Sequence, residues 1–586
     1  MKQNFEINGI SYAVETENDV TVSLYKLREE NGITVLKLAL DFGGSTLPKP
    51  LSVTYEIPCT EMYTMWDAIS KKRDLDASWR AASGKTVSSL GNGMPLKGLL
   101  SKEGINRYLL AFSDVKTPMA LKMGASHYRG AMLIRWELFT KLCGPFTHYE
   151  TEIRIDSRAI AFDQAILSAR KWYDEIGYPA AYSPEMAKYP VYSTWYSFLQ
   201  TVSAKDVLRE CRAAVKYGMK TVIIDDGWQT DISTAIYGYC GDWKPTKKKF
   251  PDMRGLVDQL HELGMKVMLW FPVPYMGKFS ENFKRFEGYY LLDKPGSNCM
   301  VMDPRYKLVR DFMTETYVNA VKDWNLDGLK LDFIDRFETN GTVTDDMDFV
   351  SVEEAVEQLL KEIHQRLTEI NPDILIEFRQ PYNGPVVGAY SNMMRVWDCP
   401  LDGVTNKTQG LNLRLISSSC AVHSDMIYWN TSDTLESIAT QLWGTVFLVP
   451  QISTRDREIT KEQKQVLRRY LSFWMEHRDT LCDGELHMTF VENGYGFVSA
   501  TKDGEMIALA SASHVVDMPE QLNEAYFVNI TDQREMILRT NIAAGAAYRY
   551  EVYDCSGKKL GRTKSVRGRL TEIHVPIAGM LKVTKI

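Results

Sequence analysis

What this 586-residue sequence lacks excludes several kinds of protein. No stretch approaches the ~20 apolar residues that a membrane-spanning helix needs. The nine cysteines are scattered, odd in number and without a CxxC pair. That pattern fits reduced thiols and offers neither a disulfide framework nor a structural zinc site. Positive charge is in slight deficit, with 69 Lys and Arg against 75 Asp and Glu for a net charge of −6. No basic field is therefore available to attract nucleic acid or an anionic bilayer. No GxGxxG or GxxxxGKS/T follows a strand-like run, so nucleotide binding has no motif behind it. A Gly-x-Ser-x-Gly elbow is also missing, and nine histidines leave little material for a Ser-His-Asp hydrolase. The opening Met-Lys-Gln-Asn-Phe-Glu-Ile-Asn-Gly-Ile lacks the apolar core of a secretory signal, and a cytoplasmic location is the expectation.

What is present reads as a folded chain of several domains. Hydrophobic residues make up 45% and charged residues 25%, close to the globular average. The 13 Trp and 30 Tyr suit stacking on sugar rings and suit large β-rich cores equally. Apolar and polar side chains alternate over Thr21–Leu27, Ile33–Phe42, Leu51–Ile57 and Tyr149–Ile155, which predicts an N-terminal β-sandwich over residues 1–180. Over 181–478 short β-branched runs alternate with longer helical stretches. The expected strands are Val191–Ser197, Thr221–Asp225, Lys266–Phe271, Gly328–Phe333, Ile374–Phe378, Met393–Asp398, Leu415–Ser419 and Thr445–Val449. Helices are expected over Ala204–Tyr217, Gly255–Leu263, Val309–Asn325 and Val352–Ile370, with Ser203 as a cap. Eight strands with intervening helices predict a central (β/α)8 TIM barrel. Short strands return over 479–586, among them His487–Val491, Met506–Ser511 and Tyr548–Tyr553, and predict a small C-terminal β-sandwich.

Catalytic groups of such a barrel sit at the C-terminal strand ends. Here those ends are acidic: Asp225-Asp226 after the second strand, Asp332 on the fourth, Asp398 and then Asp402 after the sixth. Cleavage of a glycosidic bond needs one carboxylate to attack an oxocarbenium-like centre and another to protonate the departing oxygen, about 5–5.5 Å apart in retaining enzymes. Lys330 alternates in phase with Asp332, so both point inward, where the lysine lowers the carboxylate's pKa and can donate to a hydroxyl. Adjacent Asp225 and Asp226 repel one another, and a polar ligand is the natural compensation. Trp195 stands where a stacking platform would be, and Asp242 of Gly241-Asp242-Trp243 either caps a loop or lines the site. His423 and Asp425 have no partners at metal-ligand spacing, and no metal site is expected.

At these residues the sequence resembles glycoside hydrolase family 36, the α-galactosidases and raffinose-synthase-like proteins of the melibiase clan. Val222-Ile-Ile-Asp-Asp-Gly-Trp-Gln229, Gly241-Asp-Trp243, Lys249-Phe-Pro251, Gly264-Met-Lys-Val-Met-Leu-Trp-Phe271, Met302-Asp-Pro304 and Asp327-Gly-Leu-Lys-Leu-Asp332 follow in the family's order. The resemblance implies a retaining exo-α-glycosidase without cofactor, acting on an oligosaccharide or glycoside, and it leaves room for a homo-oligomer. It implies Asp332 as nucleophile and Asp398 as general acid and base, with Asp402 as the alternative in the loop Val396-Trp-Asp-Cys-Pro-Leu-Asp402. It further implies substrate contacts from Trp195, Asp225, Asp226, Trp228, Asp242, Trp270, Lys330 and Arg395. Arg379 stands near the position of a family cysteine, where its guanidinium either reads a ring substituent or pairs with Glu377 or Asp398. A transglycosylase, an enzyme for a modified glycone such as N-acetylgalactosamine, and a silent sugar-binding protein remain the competing readings.

Overall fold

A computed structural model describes residues 1–71, 73–78, 85–540, 547–561, 563–566 and 569–586. Two six-stranded sheets open the chain. The expected strands are present and longer than their alternation suggested: Thr21–Glu30, Ile33–Thr46, Leu51–Pro58 and Phe146–Asp156. Alternate residues explain the packing. Leu36, Leu38 and Leu40 from one sheet and Val53, Tyr55 and Ile57 from the other meet in a single apolar core.

The central sheet has eight strands: β1 (Val191–Ser193), β2 (Thr221–Ile224), β3 (Lys266–Pro272), β4 (Gly328–Asp332), β5 (Leu375–Arg379), β6 (Met393–Arg395), β7 (Ala421–His423) and β8 (Gln451–Ile452). Each pairs in parallel with its neighbour from β1 to β7, and β8 pairs with β1. A parallel bridge from His423 to Val449 brings the last gap almost to closure. Around it run α1 (Ala204–Ala214), α2 (Met253–Glu262), α3 (Lys307–Trp324), α4 (Val352–Ile370), α5 (Gly403–Ile416), α6 (Leu435–Gly444) and α7 (Lys461–Glu476). Ser203 does cap α1, its side chain accepting from the Asp206 backbone N–H.

The expected strands need four corrections. The first stops at Ser193, and Trp195–Phe198 form a helical turn. The sixth stops at Arg395, leaving the acidic segment after it as loop. Leu415 and Ile416 belong to α5, and β7 starts only at Ala421. Residues 445–449 are the turn after α6 and the approach to β8. A seven-stranded and a three-stranded sheet close the chain, with Ala508, Phe527, Leu538 and Leu581 among the residues between them. Among the described residues no helix is long and apolar enough to cross a membrane.

Candidate active site

Asp332 ends β4 and is almost wholly buried. Four donors fix its carboxylate. Arg379 Nε lies 2.7 Å from Oδ1 and Trp270 Nε1 donates to Oδ2 at 3.0 Å. The Tyr382 hydroxyl reaches Oδ1 at 3.3 Å, and the backbone N–H of Phe333 at 2.8 Å. Phe333 makes that last bond from the left-handed region, φ 66°, which a bulky residue rarely adopts. Strain of this kind persists where surrounding contacts over-determine it, here ring contacts with Tyr237, Tyr275 and Trp270. Burial pushes the Asp332 carboxyl up, but the charges of Arg379, Lys330 and Arg395 outweigh it and hold the group well below the usual carboxylate range.

The second acidic group sits beside β2. Its tight turn needs Gly227, at φ 119°, where a Cβ would lie 2.6 Å from the Gln200 Cα. Asp225 accepts from Lys330 Nζ at 2.7 Å and from the next backbone N–H at 2.9 Å. Lys330 is thus spent on Asp225, and its effect on Asp332 is through space. The two oxygens of Asp226 accept from the amides of Gln200 and Gln229, each at 2.7 Å. Burial is the chief reason that Asp226 is pushed up to about 7, and repulsion from Asp225 adds to it against the two amides.

The third group surrounds Arg395, which is fully buried at the end of β6. Its guanidinium hydrogen-bonds Asp425, reaches Asp398 at 2.9 Å and lies 3.6 Å from Glu377. Asp398 is the open end of this cluster, its side chain 52% exposed. Partial desolvation would raise its pKa, yet Arg395 and Lys330 keep it below the usual value. Asp425 also accepts from the Tyr196 hydroxyl at 2.9 Å and the Cys399 backbone N–H at 2.7 Å, which ties the β1, β6 and β7 ends together.

Arg379, expected to read a substituent or to pair with Glu377 or Asp398, pairs with Asp332 instead. Trp228, Asp242 and Asp402 each have partners within the fold. Trp228 is 0% exposed, donates its indole N–H to the Trp270 carbonyl and packs edge-on against Phe271 and Trp324, so it belongs to the barrel wall. Asp242 caps a loop, accepting from the backbone N–H groups of Glu281 and Asn282 at 2.8 and 3.1 Å. Asp402 is the N-cap of α5, accepting from the Thr405 backbone N–H at 2.9 Å, with Lys71 at 3.5 Å. Trp270 orients the Asp332 carboxylate through its indole N–H, and Trp195 is half-buried at the start of its helical turn. His423 lies in a wall contact, its Nε2–H donating to the Ala187 carbonyl at 2.8 Å. Gln200, Tyr382 and Tyr196 do not show in the sequence as site residues, Asp425 shows only as a metal-ligand candidate, and Gln229 stands in the motif without an assigned role. Only Gln229, next to the Asp-Asp-Gly-Trp run, carried a local signal; the others arrive from distant loops.

Fold and site together define the class: a (β/α)8 barrel set between β domains, with carboxylates gathered at its strand ends. Residues 187–399 match the melibiase family. It is similar to the α-galactosidase Mel36A of Lactobacillus acidophilus, 34% identical over 142 residues that span 22% of this chain and 18% of that enzyme. It is also similar to the A type blood α-D-galactosamine galactosaminidase of Flavonifractor plautii, 28% identical over 149 residues, 22% of this chain and 12% of that protein. The matched stretch is thus under a fifth of either relative's length. The crystal structure of the family 36 α-galactosidase AgaA from Geobacillus stearothermophilus superposes with a TM-score of 0.64 at 14% identity, over 100% of this chain and 87% of that one. At that identity the likeness is one of fold.

Proposed function

We propose that this protein is a retaining exo-α-glycosidase that removes terminal galacto-configured sugars from oligosaccharides or glycosides. One observation carries the reading: Asp332 is a buried carboxylate kept ionised by Arg379 and aimed by Trp270, at the same barrel mouth as the half-exposed Asp398. Asp332 attacks the anomeric carbon while Asp398 protonates the departing oxygen, and Asp398 then activates the water that releases the sugar. Lys330–Asp225 and Asp226 present hydrogen-bonding groups for ring hydroxyls, and the desolvated Asp226 is well suited to a donor on the ligand. The nine free thiols suit a reducing compartment, and we place the reaction in the cytoplasm.

The test uses an aryl α-galactoside. Asp332→Asn should lower kcat at least a thousandfold with little change in thermal stability, and Asp332→Gly with azide should yield a β-glycosyl azide. Unimpaired turnover by Asp332→Asn would discard the reading. The galactosaminidase among the relatives supports one second reading, a glycone carrying a 2-acetamido group. The same variants screened on aryl α-N-acetylgalactosaminide decide between the two by their kcat/KM ratio.

A further inference from the structure

We propose that Asp335 is a positioning residue that takes over the Arg379 guanidinium when Asp332 becomes a glycosyl ester. The inference rests on the nucleophile assignment above and goes beyond it to a residue outside the reacting pair.

Asp335 lies in the single 3-10 turn Ile334–Arg336 that follows β4. Its side chain is 7% exposed, and its Oδ1 is buried without a hydrogen-bond partner. An unpaired buried carboxylate oxygen is costly, so its retention calls for an explanation. Arg379 stands close to that oxygen, its Nη2 4.0 Å away and beyond hydrogen-bond reach. Arg379 is meanwhile committed to Asp332 through Nε at 2.7 Å and to the Gln380 carbonyl through Nη1 at 2.6 Å. Its guanidinium lies over the rings of Phe333 and Tyr382, at 5.1 and 5.6 Å from their centres. Those rings allow a shift between the two carboxylates without exposing the charge to water. The other oxygen of Asp335 is held by Arg336 Nε at 3.1 Å, and a cavity of about 30 Å³ borders the residue.

The reaction supplies the reason for such a shift. A lone pair of the Asp332 carboxylate forms the bond to the anomeric carbon as the glycosidic bond breaks. The bonding pair leaves with the aglycone oxygen, which takes the proton of Asp398. Asp332 is then a neutral ester, and Arg379 has lost its counter-ion inside a nearly water-free site. A buried cation left alone is strongly disfavoured. Asp335 removes that penalty: as Arg379 moves the extra distance, the orphaned oxygen gains its bond and the intermediate keeps a balanced charge. When water releases the sugar, Asp332 recovers its charge and Arg379 returns.

A residue in this role acts in opposite directions on the two steps, which a merely structural residue does not. Loss of its charge should slow ester formation, because Arg379 holds the attacking carboxylate without a competitor, and should hasten ester hydrolysis, because the intermediate is left unbalanced. The probe is 5-fluoro-α-galactosyl fluoride, which slows both steps so that labelling and recovery are measured separately on the full chain. Asp335→Asn should label about tenfold more slowly and recover about threefold faster than the wild type, and Asp335→Glu should return both rates toward it. Where Asp335→Asn yields no folded protein, the same two rates are read on Asp335→Ser. Rates within twofold of wild type, or a parallel fall in both, overturn the proposal. A wild-type chain that the probe does not label, or labels elsewhere than Asp332, overturns the nucleophile assignment together with it.

Discussion

Arg395 has one charge and three carboxylates to serve. Asp425 and Glu377 are wholly buried with it, and only Asp398 reaches solvent. The groups that act on Asp398 are Arg395, Lys330 and Arg379 from the cationic side and Asp332 and Asp425 from the anionic side, with the Tyr196 hydroxyl beside them. Burial pushes Asp425 up to about 6, so above that pH it is ionised and takes a share of Arg395. Asp425→Asn therefore gives Asp398 more of the guanidinium and removes a repelling charge, and both lower its pKa. In the proposed mechanism the acid form protonates the leaving group, so kcat/KM falls as pH rises through that pKa. The alkaline limb of the profile should move to lower pH by about one unit, the equivalent of about 1.4 kcal/mol. An unmoved limb would refute this sharing. Asp226 gives a second prediction of opposite kind. Its pKa is raised in the fold to about 7 from the ordinary 3.8. The stability it allows is full below the ordinary value and is lost as pH rises through about 7. Asp226→Asn should thus be more stable than wild type at pH 8, by an amount of order 1–3 kcal/mol, and the gain should vanish near pH 4. Thermal melts at the two pH values check it.

At the scale of elements, the loop after β6 separates two carboxylates that the sequence alone leaves as alternatives. Asp402 spends its side chain on the first turn of α5, while Asp398 remains at the mouth beside Arg395. Asp402→Ala should therefore cost about 1 kcal/mol of stability, as for other lost N-caps, and keep most of the kcat on an aryl α-galactoside. Asp398→Ala should keep stability and lose turnover, least so with a good leaving group. The reverse pattern would transfer the acid/base role to Asp402. Legibility also varied by element. β2, β4 and β5 showed in the sequence because short apolar stretches end on a charged residue, and β3 because Val267–Phe271 is an unbroken apolar run. β7 and β8 did not, since three and two residues are too short to leave a pattern. α5 was half hidden because it is buried nearly all round, with Asn406, Lys407, Gln409 and Asn412 inside as well as its leucines, so no polar face marks its period. The carboxylates themselves were legible because strand ends announce them. Their orienting partners, Tyr382 and Tyr196, come from loops whose approach depends on the closed barrel, and Arg379 could be seen without its bond to Asp332.

At the scale of the whole molecule, the three parts of the chain share a core. One apolar cluster runs from Trp66, Leu90 and Leu96 in the first sheets, through the barrel, to Val491, Tyr495 and Val498 of the last. The interiors of the two β units form separate clusters. A buried polar junction locks the shared core: Trp66 Nε1 donates to the Tyr495 hydroxyl at 2.7 Å and lies 3.2 Å from Asn412 Oδ1. The Tyr495 hydroxyl itself donates to Asn412, and Arg73 Nη2 reaches the same oxygen at 3.2 Å. Asn412 in α5 is thus an acceptor for both flanking units. Multidomain chains often unfold in stages, but a common core and a common acceptor oppose that here. Calorimetry should show one dominant transition. Asn412→Leu removes the acceptor and leaves buried donors to find new partners, at a cost of about 1–3 kcal/mol, which lowers the transition by a few degrees. The residue sits in the second half of α5, remote from the rim that the helix N-terminus adjoins, so KM for an aryl α-galactoside should be unchanged. A wild-type thermogram with a separate early transition that proteolysis assigns to the first sheets would show that the shared core does not couple them. A variant whose KM rises would show instead that the junction also holds the mouth of the barrel.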